Sequence, residues 1–123
     1  MSPSEAVAVV QKRADAWVRE DLETYLALTA EDYVVEVDGN EDMRGRSVLE
    51  GVVRRNYERF RPIAWDFLEI AGDGSRVFAE WTATLEARDT GVHWSYKAMS
   101  VCEVRDGVLC WWHEYRAPMT QVS

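Results

Sequence analysis

Two runs near the C-terminus decide how the chain reads: Trp94 to Val104 (WSYKAMSVCEV) and Val108 to Arg116 (VLCWWHEYR), on either side of Arg105-Asp106-Gly107. Both are rich in β-branched and aromatic residues, and a glycine-containing break between two such runs is a hairpin signal. Reading backwards, Val77 to Ala87 and Ile63 to Ala71 have the same texture, set off by Arg88 to Gly91 and by Gly72-Asp73-Gly74. Four consecutive strands joined this way predict an antiparallel meander.

Before Pro62 the apolar period becomes that of helices. Ser2-Pro3-Ser4-Glu5 supplies a capping hydroxyl, a proline at the first helical position and a glutamate at the third, which together satisfy the free amides of a helix start. Val7, Val10, Ala14 and Trp17 then follow at spacings of three and four, predicting a helix that ends near Glu20. Asp21 caps a shorter helix through Leu22, Tyr25, Leu26 and Leu28, and Tyr33 to Asp38 reads as a first strand broken by Gly39-Asn40. Ser47 with Glu50 repeats the capping-box spacing before Leu49, Val53, Tyr57 and Phe60, a third helix that stops at Pro62. Helices with one strand among them, then a long-stranded sheet, make an α+β fold in which helices cover one face of a curved sheet.

The chain has 123 residues, one domain's worth, and its 47% hydrophobic and 29% charged residues are those of a globular protein. Twenty-two acidic residues against 14 basic ones leave a net charge of −8, which repels phosphate backbones and anionic lipid headgroups, so neither nucleic acid nor membrane is an expected partner. No apolar run approaches a membrane span and no signal region opens the sequence, so the expected location is cytoplasmic, with Cys102 and Cys110 reduced. His93 and His113 have no third ligand at metal spacing, and no glycine-rich loop leads from a strand into a helix, so neither a metal nor a cofactor is implied. Six tryptophans suit either an apolar ligand pocket or a core.

The order of elements, with Asp21-Leu22, Leu28-Thr29-Ala30-Glu31-Asp32-Tyr33-Val34-Val35-Glu36, Arg44-Gly45-Arg46-Ser47-Val48-Leu49 and Val104-Arg105-Asp106-Gly107-Val108 ahead of Glu114-Tyr115, resembles the SnoaL-like branch of the nuclear transport factor 2-like superfamily. The resemblance spans residues 1–123 as one domain. It implies a cystatin-like cone: a bent antiparallel sheet wrapped by three N-terminal helices around a blind pocket, usually as a homodimer. Its members include polyketide cyclases, limonene-epoxide-hydrolase-like enzymes, ketosteroid isomerases and proteins without catalysis, so fold alone does not set activity. Trp112-His113-Glu114-Tyr115 is similar to the last-strand acid segment of limonene-type hydrolases, with Glu114 in the acid's place. Their Arg-x-Asp on the third strand is replaced by Trp81 and Ala83, and the ketosteroid isomerase oxyanion positions hold Arg13 and Ser100. By resemblance to epoxide-opening cyclases, Asp38 and Asp66 form a second candidate acid pair.

Strand alternation sorts these candidates, because residues two apart share a face. If Glu114 faces the cavity, so does Trp112; Tyr96, Ala98, Ser100 and Cys102 form the matching face of the neighbouring strand, and Trp81, Ala83 and Leu85 continue the wall. Glu36 or Asp38 stands across from it, and Asp66 shares a face with Ala64, Leu68 and Ile70. Two carboxyl groups in unlike surroundings can divide acid and base roles, Glu114 as the buried proton donor and Glu36, Asp38 or Asp66 as the ionised partner. Trp17, Tyr57, Trp81, Tyr96, Ser100 and Trp112 are the expected substrate contacts. The expected activity is a cofactor-independent cyclisation, isomerisation or epoxide opening on a small apolar carbonyl or epoxide compound of secondary metabolism; the alternative is a non-catalytic small-ligand-binding or dimerisation domain. A three-residue Arg105-Asp106-Gly107 loop, with Gly107 left-handed, is the hairpin that turns both Glu114 and Ser100 inward.

Overall fold

The computed structural model describes residues 2–122. The elements run α1 (Pro3–Val18), α2 (Leu22–Ala27), β1 (Thr29–Val37), β2 (Asn40–Arg44), α3 (Arg46–Arg59), β3 (Phe60–Asp73), β4 (Arg76–Ala87), β5 (His93–Arg105), β6 (Val108–Arg116) and β7 (Thr120–Val122). Local chemistry sets the helix starts. Ser2 Oγ accepts the Glu5 amide at 3.2 Å at the head of α1, and the Asp21 carboxylate accepts the Thr24 amide at 3.2 Å at the head of α2. α3 departs from the expected capping box: Gly45, at φ +96°, is its N-cap residue and no side chain caps it. The Gly45 amide is instead donated to the Tyr33 carbonyl at 2.6 Å, which ties the helix start to β1.

The sheet order is β2-β1-β6-β5-β4-β3, with β7 pairing the start of β5. All pairs are antiparallel except β1 and β6, which run parallel, so the sheet is mixed where a purely antiparallel one was expected. A parallel pair needs a long crossover, and here α3 and four strands lie between the two. Register shifts in β1, β3 and the β5–β6 pair bend the sheet, as bulges do. Pro62, which cannot donate to a ladder, lies on edge strand β3.

The concave face packs against α1 and α3. Ala6, Val10 and Tyr33 join Val77, Ala79, Trp81, Ala83 and Cys102 in the core, and the alanines let α1 lie close to β4. α1 also lies close to β3 at Gly72, where an added Cβ would stand 2.7 Å from the Pro3 carbonyl oxygen.

The β5–β6 hairpin differs from the expected three-residue loop. Arg105 pairs with Val108, so only Asp106 and Gly107 turn, both left-handed at φ +53° and +79°, the signature of a type I′ turn. Val104 then pairs with Leu109 but Glu103 with Trp111, leaving Cys110 as an extra residue in a bulge. That insertion restores the alternation, so Ser100 pairs with Glu114 and both point inward, 3% and 6% exposed. Among the described residues no helix is long and apolar enough to cross a membrane.

Candidate active site

Between the helices and the concave sheet face lies a two-part pocket. The outer part, about 550 Å³, is bounded by Trp17, Asn56, Tyr57, Leu85, Tyr96 and the Ala117-Pro118-Met119 segment that loops out between β6 and β7. The inner part, about 140 Å³, is bounded among others by Arg13, Tyr33, Trp65, Trp112 and Glu114. Trp17, Asn56, Tyr96 and Arg116 line both, so the two adjoin.

The aromatic wall is built on one stacked pair, Trp65 on Trp81, with ring centroids 3.8 Å apart. Trp17 and Trp112 meet Trp65 edge-on at 5.6 and 6.1 Å, and Tyr96 meets Trp81 edge-on at 5.5 Å, arrangements the ring quadrupole favours. Trp65 Nε1 is buried and without a hydrogen-bond partner among the described residues.

Glu114 is held by two donors. Trp112 Nε1 donates to its Oε1 at 2.9 Å, and Arg116 Nε makes a short ion pair with its Oε2. Arg116, half-exposed at the pocket mouth, lies over the Tyr96 ring. Because both neighbours donate, Glu114 serves here as an acceptor, whereas the sequence reading made it a proton donor. Neutral hydroxyl donors lie nearby: burial raises the Tyr96 phenol above its ordinary range and adjacent Glu114 adds to the rise, and burial likewise raises Tyr57. Tyr57 donates to the Trp17 carbonyl at 2.8 Å, which leaves Tyr96 as the phenol that borders both parts of the pocket. Burial pushes the Cys102 thiol up to about 12, which removes it as a nucleophile.

The remaining sequence candidates fall in different places. Trp17, Tyr57, Tyr96 and Trp112 line the pocket, while Trp81 and Ser100 lie behind it, bonded to each other, Trp81 Nε1 to Ser100 Oγ at 2.9 Å. Asp38 is at the rim, where its carboxylate accepts the Arg116 amide at 3.1 Å. Glu36 lies on the outer face, 3.8 Å from His113 Nε2. Asp66 is exposed in a surface groove with Gln11 and Asp15, on the side of β3 opposite the stacked Trp65. Neither Glu36 nor Asp66 borders the two-part pocket.

Arg13, Arg116, Tyr33 and Trp65 belong to the pocket but were not among the expected site residues. Arg13 had a readable signal: it stands three residues after Val10 and four before Trp17, on the stripe that faces inward. No cluster of three or more metal-ligating side chains occurs among the described residues.

The comparisons with known proteins fit this geometry. An epoxide hydrolase of the limonene type from M. tuberculosis is 27% identical, with a TM-score of 0.84 over 94% of this chain and 84% of that one. A provisionally assigned polyketide cyclase from Xanthomonas campestris pv. campestris is 25% identical, with a TM-score of 0.75 over 92% and 90% of the two chains. A nuclear transport factor 2-like protein from Burkholderia xenovorans, 23% identical, shares the fold at a TM-score of 0.74 over 95% and 92%. No curated protein matches in sequence. The SnoaL-like domain model matches residues 10–112, and the chain belongs to that family.

Proposed function

We propose that this protein is a cofactor-independent acid–base enzyme that opens, closes or isomerises a small, mainly apolar carbonyl or epoxide compound. The observation that carries the reading is Glu114, a carboxylate 6% exposed, bordering a chamber walled by tryptophans and oriented by Trp112 and Arg116. Its solved structural neighbours include an epoxide hydrolase and a provisionally assigned polyketide cyclase, which supports chemistry of this class. Glu114 takes a proton from the attacking hydroxyl or from a carbon next to a carbonyl. The Tyr96 hydroxyl donates to the substrate oxygen on which negative charge develops, and Arg116 offsets that charge from the mouth. Asp38, fixed at the rim by the Arg116 amide, is a positioning residue for Arg116.

Trp81 and Ala83 stand where limonene-type hydrolases carry Arg and Asp, and both are fully buried. That favours ring closure or isomerisation over a hydrolysis that must activate water on that strand. The test is turnover of a panel of small epoxides and unsaturated ketones by the wild type and by Glu114→Gln, with products resolved by chromatography. The reading expects conversion of at least one class and its loss in the variant. Binding of panel members without conversion of any would make the protein a ligand-binding domain.

A further inference from the structure

We propose that Arg13 is an anion-recognition site at the inner end of the pocket, and that the ligand carries a carboxylate joined to its apolar body. The inference rests on the reading of this pocket as the ligand site and adds the class of ligand it takes.

Arg13 projects from α1 with 5% of its surface exposed, and its guanidinium borders the inner chamber. Rings surround it: its central carbon lies 4.6 Å from the Tyr25 centroid, 4.9 Å from Tyr33 and 5.4 Å from Trp112. Two of its donors are used, one to Thr29 Oγ1 at 3.1 Å and one to Tyr33 Oη at 2.8 Å. Both acceptors are neutral. Among the described residues, no carboxylate lies within ion-pair distance of Arg13, whereas the other charged groups of the chamber are accounted for: Glu114 pairs with Arg116, and Asp42 is exposed.

An arginine stays charged at any pH the fold tolerates, and a buried charge without a counter-ion is costly. Ring faces and two neutral acceptors offset part of that cost. What they leave is a positive potential in a water-poor chamber and N–H donors in a planar fork, which matches a carboxylate geometrically as well as electrically. Trp112 links this end to the proposed chemistry, since its ring lies under Arg13 and its N–H holds Glu114. A carboxylate seated on Arg13 thus places the adjoining carbon skeleton along Trp112, beside Glu114 and Tyr96.

Calorimetric titration of the intact protein with trans-cinnamate and with the uncharged cinnamamide tests this through binding alone. The wild type is expected to bind the carboxylate ~10–100-fold more tightly, the size of a charge-assisted pair in a poorly hydrated site. Arg13→Gln should lose that preference while keeping its affinity for the amide. Arg13→Lys, which keeps the charge but not the fork, should retain only part of it, and serves if the glutamine variant does not fold. Equal affinity of the two compounds for the wild type, full preference surviving in Arg13→Gln, or failure of both compounds to bind would overturn the proposal. Amide binding with no carboxylate preference would sink the Arg13 inference alone, because the role of Glu114 is judged separately by turnover.

Discussion

Glu114 and Trp112, two residues apart on β6, point into the same chamber and are joined by a 2.9 Å bond from the indole N–H to the carboxylate. The alternation of a strand brings them to one face, and the bond then fixes which carboxylate oxygen is left to Arg116. This makes the acceptor rigid without occupying it fully.

Glu114→Gln keeps the shape and an acceptor oxygen for Trp112 but cannot take a proton. Turnover of any substrate found should fall by ~10²–10⁴ with affinity little changed. Because the Arg116 side chain is 45% exposed, water replaces its lost partner, and the stability change should stay within ~1 kcal/mol. Side-by-side melting and binding curves check this; a loss of several kcal/mol would make the pair structural instead.

Trp81→Phe should destabilise the protein by ~1–3 kcal/mol, since it removes the one side-chain donor bonded to Ser100 Oγ among the described residues, a group 3% exposed. Ligand affinity should change far less, because neither residue borders the pocket. Urea denaturation beside ligand titration reads both numbers. A large affinity loss at unchanged stability would restore Trp81 as a substrate contact.

Burial raises the phenols of Tyr33, Tyr57 and Tyr96 above the ordinary 10.0. A group whose folded value is raised lends stability that is present below its unfolded value and is lost as pH rises. Stability should therefore decline from about pH 10 upward, where the unfolded chain alone ionises these groups. Tyrosinate absorbance should show the three titrating together with unfolding. Smooth ionisation of all five tyrosines while near-ultraviolet dichroism persists would contradict it.

Met99 and Tyr115 pair across β5 and β6 on the convex face, and Phe78 lies on the adjoining strand; they are 58%, 59% and 44% exposed. We propose that this apolar patch closes against a second copy of the chain. Sedimentation at micromolar concentration should give twice the chain mass, and Met99→Glu should shift it toward the monomer. A wild-type monomer under those conditions would refute the patch as a dimer face.

The starts of α1 and α2 and the four long strands were readable because caps and alternation are local, whereas α3 begins at a left-handed Gly45 and not at the expected Ser47 cap. So were the inward faces of Trp81, Ala83 and Leu85 and of Ala98, Ser100 and Cys102, all buried. What escaped depends on contacts distant in sequence or on single backbone angles. β2 and β7 are short, polar and largely exposed, so no apolar pattern marks them. Along β3 the set Ala64, Asp66 and Leu68 looked as apolar as Trp65 and Phe67, and only packing on Trp81 chooses the latter as inner. Glu36 and Asp38 share a face by counting, but Asp38 leaves the strand at φ +52° and turns to the rim while Glu36 stays outside. Arg13 was read only as a departure from the ketosteroid isomerase pattern, because its burial and its neutral partners are set by packing across the fold.

The Cys110 bulge works as a frame correction within the strand. A two-residue turn alone would present Trp111 and His113 to the chamber and turn Trp112 and Glu114 toward the outside, the same letters read one step out of phase. The proposed base thus depends on the presence of a residue whose own side chain borders neither part of the pocket. Cys110 is itself buried, its thiol donating to the Glu103 carbonyl, and deleting it would exchange the interior and exterior of the last long strand in a single step.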